Sequence, residues 1–167
     1  MCAVSNTEYV DQLQRDVTEA AGRHYGSRLV SVVVFGSMGR RTFRHDSDLD
    51  LLIVADDLPA GRVARVQEFA AVEAALEPRL AEGRTCGFDT VCSPVFKTPD
   101  EVTAGSPLFL DMVEDARILF DRDGFFAGVL TRLRERLARL GARRIWRGNA
   151  WYWDLKPDYR PGEVFEL

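Results

Sequence analysis

The chain of 167 residues reads as an α+β domain, a small mixed β-sheet flanked by helices. Three observations predict this class. Two apolar, β-branched runs, residues 29–35 and 49–54, have the unbroken hydrophobicity of strands covered on both faces. Segments before, between and after the strand-like runs carry apolar residues at helical spacing. No repeat, linker or low-complexity tract divides the sequence, so one domain suffices at this length.

The elements follow in order. Ser5-x-x-Glu8 is a capping-box signature, and Tyr9, Leu13, Val17 and Ala20 or Ala21 follow on one helical face, which predicts a helix over about residues 7–25. Residues 28–35 form a central strand. The Gly36-Ser37 turn then opens a short helix through Arg41, and residues 49–54 form a second strand with Leu49, Leu51 and Ile53 on one face. Asp56-Asp57-Leu58-Pro59 breaks the chain before a helix over about residues 61–82, marked by Val66, Phe69, Leu76 and Leu80. Residues 87–96 read as a third strand, ended by Thr98-Pro99. Residues 107–113 read as a short helix and residues 116–120 as a fourth strand. Phe126, Val129 or Leu130, Leu133, Leu137 and Leu140 give an amphipathic helix stopped by Gly141. Residues 1–142 thus make the domain. Residues 143–167 are an aromatic-rich extension docked on it, with Trp146, Trp151, Tyr152, Trp153, Tyr159 and Phe165 close together; the sharper reading of that cluster is a partner or acceptor surface.

Composition narrows the function classes. Hydrophobic content of 46% and charged content of 29% are ordinary for a globular protein, and the formal net charge of -4 argues against broad electrostatic binding to nucleic acid. The first residues lack the basic start and apolar core of a signal peptide, and no apolar run reaches membrane-spanning length, so a cytoplasmic protein with no membrane partner is expected. Cys2, Cys86 and Cys92 are odd in number and lack paired spacing, so neither a disulfide framework nor a zinc site is expected. His24 and His45 stand far apart, which disfavours a histidine metal site. The arginines on and after the last helix form a solvated face, or else one that meets RNA or an acidic partner.

Chemistry concentrates between the first two strands. A strand ending in Gly36-Ser37 offers backbone N–H groups at a helix start, where phosphate oxygens bind well. Asp48 and Asp50, two apart on a strand, point to the same face. Asp89 interrupts a later β-like run, on the face opposite Phe88, Thr90 and Cys92, where an isolated aspartate is disfavoured. Two like charges about 4 Å apart cost on the order of 4 kcal/mol at an effective dielectric near 20. Converging carboxylates would therefore call for a divalent cation, and oxygen ligands beside phosphate point to magnesium, with manganese as a substitute. Asp46 lies in the turn before the pair and suits local hydrogen bonding better than metal ligation.

This stretch resembles the signature of the minimal nucleotidyltransferases of the DNA polymerase beta-like superfamily: an apolar strand, Gly-Ser, a spacer near ten residues, Asp-x-Asp, and a later Asp on a neighbouring strand. Here ten residues separate Ser37 from Asp48. The resemblance covers roughly residues 30–120 and implies the nucleotidyltransferase fold for residues 1–142. It implies that Gly36 and Ser37 hold the β- and γ-phosphates of a nucleoside triphosphate, ATP above all. Asp48 and Asp50 would bridge two Mg²⁺ ions, and Asp89 would hold the metal that activates the acceptor hydroxyl or act as its base. Many relatives have Gly-Ser-x-x-x-Gly; here Arg41 stands at the last position, so Arg40 and Arg41 become candidate phosphate contacts.

The expected activity is magnesium-dependent transfer of a nucleoside monophosphate, AMP foremost, to a hydroxyl acceptor, with release of pyrophosphate. Compact relatives act as antitoxins that add AMP to a tyrosine of HEPN-type ribonuclease toxins, so a protein acceptor in trans is a specific version of the same expectation. The alternative is a catalytically silent nucleotide- or partner-binding module with the same fold, suggested by Arg41 and by the aromatic extension.

Overall fold

A computed structural model describes residues 5–148 and 150–165. Ser5 starts the first helix: its hydroxyl accepts a hydrogen bond from the Glu8 N–H at 3.2 Å, and α1 runs over Asn6–Tyr25. The stripe of Tyr9, Leu13, Val17, Ala20 and Ala21 is buried as the spacing predicts.

The sheet has four strands, β1 (Leu29–Val34), β2 (Leu49–Ala55), β3 (Cys92–Lys97) and β4 (Arg117–Asp121), in the order β3-β2-β1-β4. β1 runs antiparallel to both β2 and β4, while β2 and β3 are parallel, so the sheet is mixed. A parallel pair needs a crossover connection, and α3 (Arg62–Thr85) supplies it. Helices α1 and α3 cover one face, where Leu49, Leu51 and Ile53 meet Leu13, Val17, Phe69 and Leu76. The other face carries α5 (Leu108–Asp115) and α6 (Phe125–Leu140), which pack Phe109, Met112, Phe126 and Leu130 on Val33, Leu52 and Val54. The central strands are apolar on both faces because helices cover both.

Asp121 ties this second layer together. Its carboxylate accepts from the buried Ser31 hydroxyl at 2.7 Å and from the Phe126 and Ala127 N–H groups at 2.9 Å each, joining β1, β4 and the start of α6.

Three details differ from the sequence reading. The third strand begins at Cys92, not residue 87, because Gly87 turns with φ +87° and the Asp89 N–H bonds to the His45 carbonyl at 2.8 Å, holding the segment as a loop. Asp89 therefore precedes the strand rather than interrupting it. Thr98-Pro99 ends β3 but also starts a further helix, α4 (Pro99–Thr103), through a capping box in which Thr98 and Glu101 satisfy each other's backbone N–H groups. Finally, the aromatic extension holds an antiparallel hairpin, β5 (Arg143–Arg147) and β6 (Ala150–Asp154). Among the cysteines, Cys92 is a free thiol whose pKa burial pushes up to about 12, so it is inert at neutral pH. Cys86 is disulfide-bonded, although the odd number and unpaired spacing of the cysteines indicate no disulfide framework. Cys2 lies outside the described residues.

Candidate active site

β1 delivers the chain to a sharp turn. One step past the strand, the Phe35 N–H donates to the Asp50 carbonyl at 3.1 Å, so the turn opens directly beside the second residue of β2. Gly36 has φ +65°, and a Cβ built on it would stand 2.0 Å from Asp50 Oδ2. Only a glycine lets the Asp50 carboxylate lie against the turn in this way. The short helix α2 (Gly36–Gly39) follows, with Gly39 donating to the Phe35 carbonyl and Arg40 to the Gly36 carbonyl. The first-turn N–H groups of Gly36, Ser37 and Met38 have no intrahelical acceptor, the condition under which helix starts take up anions.

Asp50 alternates with Leu49 and Leu51 and shares the face of Leu52 and Val54. Asp48 stands one residue before β2, held by the Leu49 N–H bond to the Val91 carbonyl at 2.9 Å. Burial raises the Asp50 pKa above the ordinary carboxylate value, the Asp48 charge raises it further, and the Arg40 guanidinium pulls the other way. Each of these three effects has a different source, and together they place two carboxylates and one cation around the same turn.

Asp89 sits at the same end of the sheet. Phe88 and Thr90 are buried and Val91 is exposed, so the alternation expected of this segment persists although it is a loop. Its side chain is exposed and is not among the charges that act on Asp50. Among the described residues, no group of three or more His, Cys, Asp and Glu side chains is placed to hold a metal ion. The structure thus brings Asp48 and Asp50 together with Gly36, Ser37 and Arg40, and leaves Asp89 at the rim. The pair offers oxygen donors alone, a donor set that suits a hard divalent cation such as magnesium.

The two arginines have different surroundings. Arg41 adopts φ +59°, the left-handed region that glycine enters freely, at the position where the Gly-Ser-x-x-x-Gly pattern has its last glycine. Its guanidinium reaches back to Asp11 on α1 at 2.9 Å and is committed there. Arg40 instead lies over the ring of Trp151, 4.8 Å from its centroid, and donates to Asp115 Oδ2 at 3.3 Å. Asp115 also accepts two bonds from Arg144, at 3.1 and 2.6 Å, and Arg144 lies 4.2 Å from the same Trp151 centroid. Asp115, Arg144 and Trp151 were not predicted as part of this neighbourhood. The signal was the aromatic cluster itself, which sequence reasoning flagged without a location.

Comparison with known proteins agrees with the geometry. The family described as "Nucleotidyltransferase domain" matches residues 15–87, a stretch that includes Gly36, Ser37, Asp48 and Asp50 and ends before Asp89. A Methanocaldococcus jannaschii protein named "Putative protein adenylyltransferase MJ1305" is 28% identical over 118 residues, covering 70% of this chain and 75% of that protein. Among solved structures, a toxin-antitoxin complex with AMP-PNP is similar at 17% identity and a TM-score of 0.49, over 77% of this chain and 92% of that one. A tri-AMPylated Shewanella oneidensis HEPN toxin in complex with its MNT antitoxin is similar at 15% identity and a TM-score of 0.46, over 79% and 92%. The family match spans the phosphate turn and both central acids, and the chain is similar over most of its length to a relative named for adenylyl transfer.

Proposed function

We propose that this chain transfers AMP from ATP to a hydroxyl group on a protein, with a tyrosine of a HEPN-type toxin as the acceptor and the cytoplasm as its setting. The observation that carries the proposal is the Asp50 carboxylate seated against Gly36 with the Asp48 charge beside it. The protein acceptor is supported by the name of the M. jannaschii relative and by the antitoxin-type resemblance of the Gly-Ser and Asp-x-Asp spacing.

In this reading the Gly36 and Ser37 N–H groups take the β- and γ-phosphate oxygens, and Arg40 adds charge-assisted hydrogen bonds to them. Asp48 and Asp50 hold two magnesium ions, with manganese able to replace them. When bound, the metal neutralises phosphate charge and lowers the pKa of the attacking hydroxyl. Asp89 accepts the acceptor's proton as its oxygen bonds to the α-phosphorus and the bond to the pyrophosphate oxygen breaks. Arg41 keeps its ion pair with Asp11 and serves the path of the turn.

The test is incubation with labelled ATP, magnesium and a co-expressed HEPN partner, read by intact-protein mass. Expected is a gain of one or more AMP units on a tyrosine, lost in the Asp48→Asn and Asp50→Asn variants. AMP-PNP binding without pyrophosphate release or labelling would instead identify a binding module and overturn the proposal.

A further inference from the structure

The C-terminal hairpin is joined to the candidate site by specific bonds rather than by apolar packing alone. Asp111 on α5 accepts from the indole N–H groups of both Trp151, at 2.7 Å, and Trp153, at 3.0 Å, which fixes the plane of each ring. One turn further along α5, Asp115 has a side chain only 9% exposed and binds Arg144 of the hairpin through both carboxylate oxygens. Gly39 lets α2 come this close: a Cβ there would stand 2.4 Å from the Asp115 carbonyl oxygen.

Arg40 lies at the junction. Trp151 and Asp115 define where its guanidinium sits, yet among the described residues only one of its five N–H groups is spent, on the 3.3 Å bond to Asp115. Arg144 occupies both oxygens of Asp115 through its two bonds. An arginine that is oriented by stacking but has most of its donors unspent is suited to a multiply charged oxyanion. Its charge already reaches Asp50.

We propose that the hairpin is part of the nucleotide site, with Trp151 and Asp115 acting as positioning residues that hold the Arg40 guanidinium toward the triphosphate. This deepens the proposed function and rests on it. It assigns the aromatic extension a role in binding ATP rather than in contacting the acceptor.

The experiment is a double-mutant cycle on the full chain, read as AMP-PNP affinity by calorimetry in magnesium. Arg40→Ala weakens binding by about tenfold or more, the scale of a lost charge-assisted hydrogen bond. Trp151→Leu gives a similar loss alone and little further loss when Arg40 is already alanine. Trp151→Phe, which keeps an aromatic face, restores most of the affinity. Asp115→Asn weakens binding only while Arg40 is present. Near-ultraviolet circular dichroism of each variant reports the tryptophan packing.

Additive losses from Arg40 and Trp151 would overturn the proposal, as would wild-type affinity in both Trp151→Leu and Asp115→Asn. In those cases Asp48→Asn would still weaken binding, and the proposed function would stand. A wild-type protein that binds no AMP-PNP would overturn both.

Discussion

Replacing Gly36 by alanine tests the geometry of the site most directly. The new Cβ would start 2.0 Å from Asp50 Oδ2, whereas ordinary contact begins at 3.4 Å, so the carboxylate must retreat by the difference or the turn must open. Backbone strain adds to this, because φ +65° costs an L-residue roughly 1–2 kcal/mol. A displacement of about 1 Å in a reacting group costs on the order of a hundredfold in rate. Gly36→Ala should therefore fold with modestly reduced stability, while AMP transfer falls about a hundredfold. Carbon-13 NMR supplies a structural readout that needs no acceptor. Moved away from its buried seat, the Asp50 carboxyl should titrate closer to the ordinary carboxylate value than in the wild type, since burial is the main cause of its raised pKa. A variant that transfers AMP within a few-fold of wild type, with an unchanged Asp50 titration, would refute the reasoning.

Asp50→Asn should stabilise the metal-free protein at neutral pH. A carboxyl whose folded pKa is raised binds its proton more tightly in the native state, so wild-type stability falls as pH rises through the window between the ordinary and the raised value. The gain from asparagine, followed by thermal melts, should be present above that window and vanish below it; a variant less stable at pH 7 than the wild type would contradict this. Asp121→Ala should cost about 2–3 kcal/mol by urea unfolding, since it removes a helix cap and orphans the buried Ser31 hydroxyl. A loss under about 0.5 kcal/mol would show that none of the three bonds matters. Arg41→Gly should leave stability within about 1 kcal/mol, because relief of left-handed strain offsets the lost, half-exposed pair with Asp11. A loss above about 2 kcal/mol would mean that the ion pair, not the turn, defines this position.

Much of the site was legible because its parts are local in sequence. Gly36, Ser37, Asp48 and Asp50 lie between two strands whose apolar runs leave little doubt about register, and Leu49, Leu51 and Ile53 are buried opposite the acids as alternation requires. Strand existence was readable, but the start of β3 was not. A composition rich in Phe, Thr, Val and Cys extends to residue 88, and only the tertiary bond from Asp89 to His45 shows that the ladder begins later. The capping box of α4 is legible in the order Thr98, Pro99, Asp100, Glu101, where the same Thr-Pro pair also signals a strand end. The path of Arg40 was beyond sequence reasoning for a different reason. Its partners Asp115 and Trp151 are 75 and 111 positions away, and nothing in local spacing connects them.

The strand that bears the acids is paired along both edges, by β1 on one side and β3 on the other. Such an interior strand opens to solvent exchange only when the whole domain unfolds, so its amides should be among the last to take up deuterium. The chemistry then works against a fixed anvil. Whatever motion admits nucleotide and expels pyrophosphate has to come from the helical turn and the hairpin that face it, and not from the carboxylates.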